Sequence, residues 1–237
     1  MSGYLVEAVN LTKKFGNVTA LNEFNIALPK GQIIGLLGPN GSGKTTFIKT
    51  IAGLLTPTSG SVTIDGKEPG VYTKSIVSYL PERTYFSSWM TVNDCLDYFC
   101  DFYADFDRDV ALGMLSSLNV PTDRKLQTLS KGTKEKVQLV LVMSRKAKLY
   151  VLDEPIGGVD PAARDFILDT IISNYNPDSS VLISTHLISD VEKVLGSFVF
   201  IHNGKLIMSG ECDDVREQYG KSLDEVFREV FKCLPNS

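Results

Sequence analysis

The nine residues GPNGSGKTT, Gly38–Thr46, constrain the chain more than any other feature. They fit the pattern G-x-x-x-x-G-K-[ST], and each part of that pattern has a physical reason. Glycines let the backbone curl tightly enough for several N–H groups to converge on phosphate oxygens. Lys44 is placed to reach β and γ phosphates, and the Thr45 hydroxyl suits a magnesium ion that accompanies them. The loop follows IIGLLG, a wholly apolar run expected of a strand buried on both faces. It precedes KTTFIKTIAGLL, where Phe47, Ile48, Ile51, Leu54 and Leu55 fall at helical spacing. Strand, loop and helix are the setting the motif needs, because the helix N-terminus adds partial positive charge under the phosphates. The motif alone leaves GTPases, kinases, motors and transport ATPases open.

The remaining pattern fits an α/β architecture. YLVEAVNLTKKFG alternates apolar and polar residues and predicts an edge strand, and TALNEFNIALPKGQ a second strand ending in a turn at Pro29–Gly31. SGSVTIDGKEP, KLYVLDEP and SSVLISTH read as strands, and SFVFIHNGKLIMSG as a hairpin turning at Asn203–Gly204. PAARDFILDTIISNY and LISDVEKVL are intervening helices. Strands alternating with helices imply a mostly parallel sheet. The stretch from Tyr85 to Met143 differs, being richer in aromatics and helical in pattern. Thr91 with Asp94 forms a capping box opening VNDCLDYFCDFY, and DRDVALGMLSSLNV is a second helix ending near Pro121. This is a helical insertion in the α/β frame.

Composition excludes several alternatives. A net charge of −4 gives a nucleic-acid partner no bulk electrostatic support. Cys95, Cys100, Cys212 and Cys233 are scattered, and with two histidines they form no zinc pattern. Free thiols in a reducing compartment are expected. No signal peptide is visible, and runs such as VQLVLVM are far too short to span a bilayer. A tie to a membrane would therefore pass through a partner.

Asp153 and Glu154 close the apolar run LYVLDE. Open α/β sheets bind ligands at the carboxyl ends of their strands. Asp153 there would hold magnesium, and Glu154 would polarise a water for γ-phosphoryl transfer. His186 follows VLIST, at the end of a strand expected beside that of Asp153. LSKGT, Leu129–Thr133, places Ser130 and the Gly132 N–H at a helix start, a second polar knot suited to an anion. Ser130 also fits as an ordinary N-cap.

Taken in order, these motifs resemble the ATP-binding subunit of an ABC transporter over nearly the whole chain. Phe15 in KKFGN stands at the aromatic position, Gly38–Thr45 at Walker A, and YLPE at the Q-loop. LSKGT stands at the signature, LYVLDE at Walker B, GGVD at the D-loop and STH at the H-loop. The resemblance implies a P-loop NTPase (RecA-like) core with a mostly parallel sheet, an N-terminal antiparallel β part and an inserted helical subdomain. It implies one domain over 1–237: a nucleotide-binding core at 1–84 and 145–212, a helical subdomain at 85–144, and a helical tail at 213–237. It implies ATP and Mg2+ as ligands. Two cassettes, alike or different, would pair head to tail, each signature capping the ATP held by the other chain. Phe15 would stack on adenine and Val18 line the same pocket. Gly38, Pro39, Asn40, Gly41, Ser42, Gly43, Lys44, Thr45 and Thr46 would wrap the phosphates. Ser130 and Gly132 would bind the partner's γ-phosphate, and Gly158 and Asp160 would cross the interface. Glu154, His186 and Lys44 would serve catalysis, and Thr45, Glu82 and Asp153 the metal.

The resemblance further implies a separate transmembrane permease, docking near Tyr85, Phe86, Trp89 and Met90, where aromatics and Met suit an anchor pocket. Tyr98, Phe99, Phe102, Tyr103 and Phe106 read instead as core of the helical lobe. The location implied is cytoplasmic, peripheral on the inner face of the cell membrane. The tail GKSLDEVFREVF resembles exporter-type subunits. A soluble ABC-type ATPase of a non-transport assembly process is the alternative. Four positions depart from the family pattern: Glu82 replaces glutamine, Lys131 and Thr133 replace the glycine and glutamine of LSGGQ, and Gly157 stands where serine is common.

Overall fold

The computed structural model describes residues 3–157, 161–175 and 178–233. Two sheets share the work. A three-stranded antiparallel sheet contains β1 (Tyr4–Phe15), β2 (Val18–Pro29) and β4 (Ser59–Ile64), ordered β2-β1-β4. A six-stranded sheet is ordered β5-β6-β7-β3-β8-β9, from β5 (Val77–Leu80), β6 (Leu149–Asp153), β7 (Ser180–Thr185), β3 (Ile33–Leu37), β8 (Ser197–His202) and β9 (Lys205–Glu211). It is parallel except for the β8–β9 hairpin.

β1 is therefore the central strand of its sheet and not an edge. Its alternating pattern reports one buried face, which a central antiparallel strand shares with an edge strand. The parallel strands β3, β6 and β7 are buried at every position, as continuous apolar runs predict. Helix α1 (Lys44–Ile51) ends sooner than its periodicity suggests, at Gly53 with φ +69°, so Leu54 and Leu55 lie beyond it and Leu54 is exposed. Helix α2 (Val71–Ile76) and strand β5 were not foreseen, since each is too short for its period to show.

The inserted lobe holds α3 (Val92–Phe102), α4 (Arg108–Ser117) and α5 (Lys131–Met143). Thr91 and Asp94 make the capping box reciprocally, Asp94 N–H donating to Thr91 Oγ1 at 3.1 Å and Thr91 N–H to Asp94 Oδ2 at 2.7 Å. Helices α6 (Pro161–Asn174), α7 (Ile188–Val191), α8 (Cys212–Tyr219) and α9 (Leu223–Lys232) complete the chain.

Apolar side chains sort into three clusters. One lies between the two sheets and α1, around Phe24, Phe47 and Ile48. A second fills the other face of the large sheet, around Tyr150, Leu168, Phe198 and Phe200. The third is internal to the helical lobe, around Leu96, Phe99 and Leu115. Helix α5 belongs to two of them. Val137, Val140 and Leu141 enter the lobe's cluster, while Leu139, Val142 and Met143 enter that of the large sheet. A helix buried all round over its second half is held as part of both bodies. Among the described residues no helix is long and apolar enough to cross a membrane.

Candidate active site

The carboxyl ends of β3, β6 and β7 come together because these strands are neighbours in parallel. Each delivers one part of the site. From β3 the chain enters the phosphate loop, which reaches α1 through Gly43 at φ +109°. A Cβ there would stand 2.6 Å from the Ala20 carbonyl, so the turn needs glycine on both grounds. The Lys44 ammonium is buried and donates to the carbonyls of Gly38 at 2.8 Å and Pro39 at 3.2 Å; it lies 3.4 Å from Glu154 Oε1. Those oxygens occupy its donors where a phosphate would otherwise accept.

From β6 come Asp153 and Glu154. Asp153 is 1% exposed. Its Oδ1 accepts from the Ser184 hydroxyl at 2.7 Å and the Thr45 hydroxyl at 3.2 Å, whereas its buried Oδ2 has no partner. Burial pushes this carboxyl above the ordinary aspartate range, opposed by the two hydroxyls and reinforced by the charges of Glu154 and Glu82. Glu154 sits in the left-handed region at φ 52°. Its N–H is held by the Ser184 carbonyl and hydroxyl, both at 3.1 Å. From the end of β7, His186 Nδ1 meets Glu154 Oε2 at 3.0 Å.

Lys44, Glu154 and His186 face one cavity of about 540 Å3, walled with them by Asn40, Gly41, Ser42, Gly43, Thr45, Thr46 and Glu82. Ala20, Lys131 and Gly157 complete the wall, and none of the three was expected there. A second, smaller cavity shares Glu82, Glu154 and Gly157 and adds Asp153, Glu135 and Gln138. Gly38 and Pro39 lie behind the wall and hold Lys44 by their carbonyls. Phe15 and Val18 pair across the β1–β2 turn, exposed and off the wall; Lys13 Nζ lies 5.2 Å from the Phe15 ring centre. Ser130 caps α5, its Oγ accepting from Thr133 N–H at 3.2 Å and lying 2.8 Å from Thr133 Oγ1, while Gly132 has open space before it. Gly158 and Asp160 lie outside the described residues.

Sequence reasoning missed Ser184, which is fully buried and holds both Asp153 Oδ1 and the Glu154 N–H. The signal was present: a small polar residue inside an apolar strand, two positions before His186. It also missed the Gly204 N–H, which donates to the Ser42 carbonyl at 2.9 Å and so ties the β8–β9 turn to the phosphate loop.

On the lobe, Phe99 is buried as expected, and Tyr103 and Phe106 pack against the same cluster. Tyr98 and Phe102 do not follow them. They are exposed and continue outward from Tyr85 and Phe86, with ring centroids at 4.3 Å (Tyr85–Phe86), 6.2 Å (Phe86–Tyr98) and 4.4 Å (Tyr98–Phe102). Positions 95, 98, 99 and 102 have the i, i+3, i+4, i+7 spacing of one helical stripe, of which Cys95 and Phe99 are buried and Tyr98 and Phe102 exposed. All four cysteines are free; burial raises the Cys95 thiol to about 12 and that of Cys212 to about 11.

Comparison with known proteins agrees with this geometry. The ABC transporter family model matches residues 21–157, and the chain belongs to that family. It is 32% identical over 217 residues to the ABC transporter ATP-binding protein YhaQ of Bacillus subtilis, covering 90% of this chain and 73% of the relative. It is 28% identical to the lantibiotic transport ATP-binding protein SrtF of Streptococcus pyogenes, covering 94% and 96% of the two chains. A solved structure of the ATP-binding subunit of an ABC transporter superposes with a TM-score of 0.84 at 29% identity, over 96% and 99% of the two chains. The protein is an ABC ATPase that binds ATP and serves transport.

Proposed function

We propose that this chain is the energising subunit of an ABC exporter whose membrane-spanning part is a separate chain. The observation that carries the catalytic reading is the convergence of Lys44, Glu154 and His186 on one cavity with Asp153 directly beneath. The ATP phosphates would replace the Gly38 and Pro39 carbonyls and Glu154 as acceptors for Lys44, freeing Glu154. That carboxylate then takes a proton from the attacking water, oriented by its contact with His186.

The donor set fits magnesium. A buried carboxylate oxygen without a partner, a neighbouring threonine hydroxyl and the Glu82 carboxylate on the adjoining wall are hard oxygen ligands. Thr45, Asp153 and Glu82 would hold the ion, which would neutralise charge on the phosphates. Phe15 would offer its exposed face to adenine, with Val18 beside it. Gly158 and Asp160 are assigned to the dimer interface on the family pattern alone. We read residues 85–144 as the lobe that carries Ser130 and Gly132 to the partner's γ-phosphate.

The exposed Tyr85, Tyr98 and Phe102, with part-buried Phe86 between them, Trp89 66% exposed and Met90 close by, are where the permease would dock, holding the chain at the inner face of the membrane. Export as the direction rests on the tail and on the lantibiotic transport relative. The test is the solution mass of Glu154→Gln. We expect a dimer with MgATP and a monomer with MgADP. A monomer in both, with ATP bound, would remove the homodimer and require a different cassette or the permease for closure.

A further inference from the structure

Ser184 touches both acids of the site yet lines neither cavity around them. It is fully buried near the end of β7 and stands opposite Asp153 in the β6–β7 register. Its Oγ donates to Asp153 Oδ1 at 2.7 Å and accepts from the Glu154 N–H at 3.1 Å. A hydroxyl has one proton, so both of its roles are assigned: it receives from the backbone of one acid and gives to the carboxylate of the other. We infer that Ser184 is a positioning residue for ATP hydrolysis, a buried hydroxyl that orients the Asp153 carboxylate for magnesium and the Glu154 backbone for attack by water.

On the Asp153 side, the hydroxyl decides which oxygen is free. The terminal torsion of an aspartate is broad, and a carboxylate turns about it unless one oxygen is tied down. Thr45 and Ser184 both donate to Oδ1, and Oδ2 is buried with no partner. The two donors differ in setting. Thr45 lines the larger cavity and belongs to the helix that would receive the phosphates, so its contact depends on what the cavity holds. Ser184 lies in the sheet, out of reach of a ligand, and can hold Oδ1 with the cavity filled or empty.

On the Glu154 side, Ser184 holds the backbone where a regular strand would not leave it. Consecutive residues of a strand point to opposite faces, yet Asp153 and Glu154 line one cavity. The left-handed turn at Glu154, φ 52°, makes this possible, and a residue other than glycine stays in that region only when its surroundings fix it. The Ser184 carbonyl and hydroxyl both accept from the Glu154 N–H, each at 3.1 Å. The turn delivers Glu154 Oε2 to 3.0 Å from His186 Nδ1. This role rests on Asp153 holding magnesium and Glu154 acting on water, as proposed for this site.

Two measurements test this on Ser184→Ala, Ser184→Thr and Ser184→Val: Mn2+ binding to the protein with ADP, followed by electron paramagnetic resonance, and steady-state ATP hydrolysis at saturating magnesium. Ser184→Ala leaves the Glu154 N–H on the carbonyl of position 184 and Asp153 Oδ1 on Thr45, so neither acid is stripped of its partners. It should weaken Mn2+ about tenfold, the usual cost of losing the group that orients a metal ligand. ADP without metal should bind within about twofold of native. At saturating magnesium, kcat should fall about tenfold or more with the KM for ATP within about twofold of native, because the loss falls on the reacting step. Threonine and valine differ in the hydroxyl and little in shape. Ser184→Thr should therefore keep Mn2+ affinity and kcat within about threefold of native, while Ser184→Val follows Ser184→Ala. This pair decides even where Ser184→Ala does not fold. Equal values for Ser184→Thr and Ser184→Val would make the effect one of packing and overturn the role. Native Mn2+ affinity, or native kcat at saturating magnesium, in the variants lacking the hydroxyl would overturn it too, by removing one of its two halves. Asp153→Asn separates the underlying assignment: if it binds Mn2+ as the native protein does, Asp153 does not hold the ion and the role falls with that reading.

Discussion

Asp153 has a fully buried carboxyl, two hydroxyls on one oxygen and nothing on the other. Ionised, it costs the folded state free energy that the unfolded chain does not bear. Its folded pKa lies above the ordinary value, chiefly through burial. The sign follows from linkage: the penalty is present above the folded pKa, shrinks as pH falls through it, and is gone below the ordinary aspartate value. Asp153→Asn keeps an oxygen to accept from Ser184 and Thr45 and removes the charge. Without nucleotide, this variant should melt above the native protein at neutral pH, and the gap should close as the solution is acidified. The same substitution should lower magnesium-dependent ATP hydrolysis by about 100-fold or more, a metal's contribution to charge stabilisation being several kcal/mol. A melting difference that stays constant with pH would show that the native carboxyl is not held ionised against burial. The placement of Asp153 at the carboxyl end of a buried strand was legible from LYVLDE, an acid closing an apolar run. The orphaned oxygen and the support from Ser184 were not, since both depend on which strand lies next to β6.

The β8–β9 hairpin shows the same division at the level of elements. Asn203–Gly204 announced a two-residue turn, and both residues have positive φ, 48° and 71°, as such a turn requires. What that turn touches is tertiary. Gly204 N–H donates to the Ser42 carbonyl, Gly204 C=O accepts from Asn22 N–H, and a Cβ on Gly204 would sit 2.6 Å from the Ala20 carbonyl and 2.8 Å from Leu21 Cα. The turn is thus clamped between β2 and the phosphate loop. Gly204→Val should cost about 2–3 kcal/mol, from an unfavourable φ and displaced backbone together. It should also weaken MgATP binding, because the loop loses its outer support. Urea denaturation and calorimetry read the two effects; unchanged ATP affinity in a destabilised variant would confine the hairpin to a structural role. Periodicity likewise placed α3, α4 and the capping box of Thr91 and Asp94. It could not separate Phe99 from Tyr98 and Phe102, because all three fall on one stripe of helical spacing and only tertiary packing decides how much of that stripe is covered.

Across the whole molecule, the proposed function requires the helical lobe and the core to keep a fixed relation, so that Ser130 and Gly132 are presented to the partner. One side chain at the end of α5 bears much of that burden. The Arg145 guanidinium is 2% exposed and donates to Asp105 at 3.0 and 3.1 Å, to the Val77 carbonyl at 2.7 Å and to the Ser75 carbonyl at 2.9 Å, and lies 3.9 Å from the centre of the Tyr103 ring. Asp105 and Tyr103 belong to the lobe, while Ser75 and Val77 lead into β5 and the Glu82 segment of the core. Only a planar fork can serve two carboxylate oxygens and two carbonyls at once. Arg145→Met leaves two carbonyls and a part-buried carboxylate without their donor and should cost about 3 kcal/mol. Arg145→Lys should recover only part of this, since an ammonium cannot match the fork. The functional consequence should be unequal. Lys44 and the phosphate loop are built on β3 and α1, away from this junction, so the diphosphate should still bind. The ATP-dependent dimer needs the lobe held in register, and it should be lost first. Parallel measurements of MgADP affinity and of solution mass with MgATP, in a Glu154→Gln background, decide the point: a variant that dimerises normally would mean that α5, through its share in two apolar clusters, holds the lobe without Arg145.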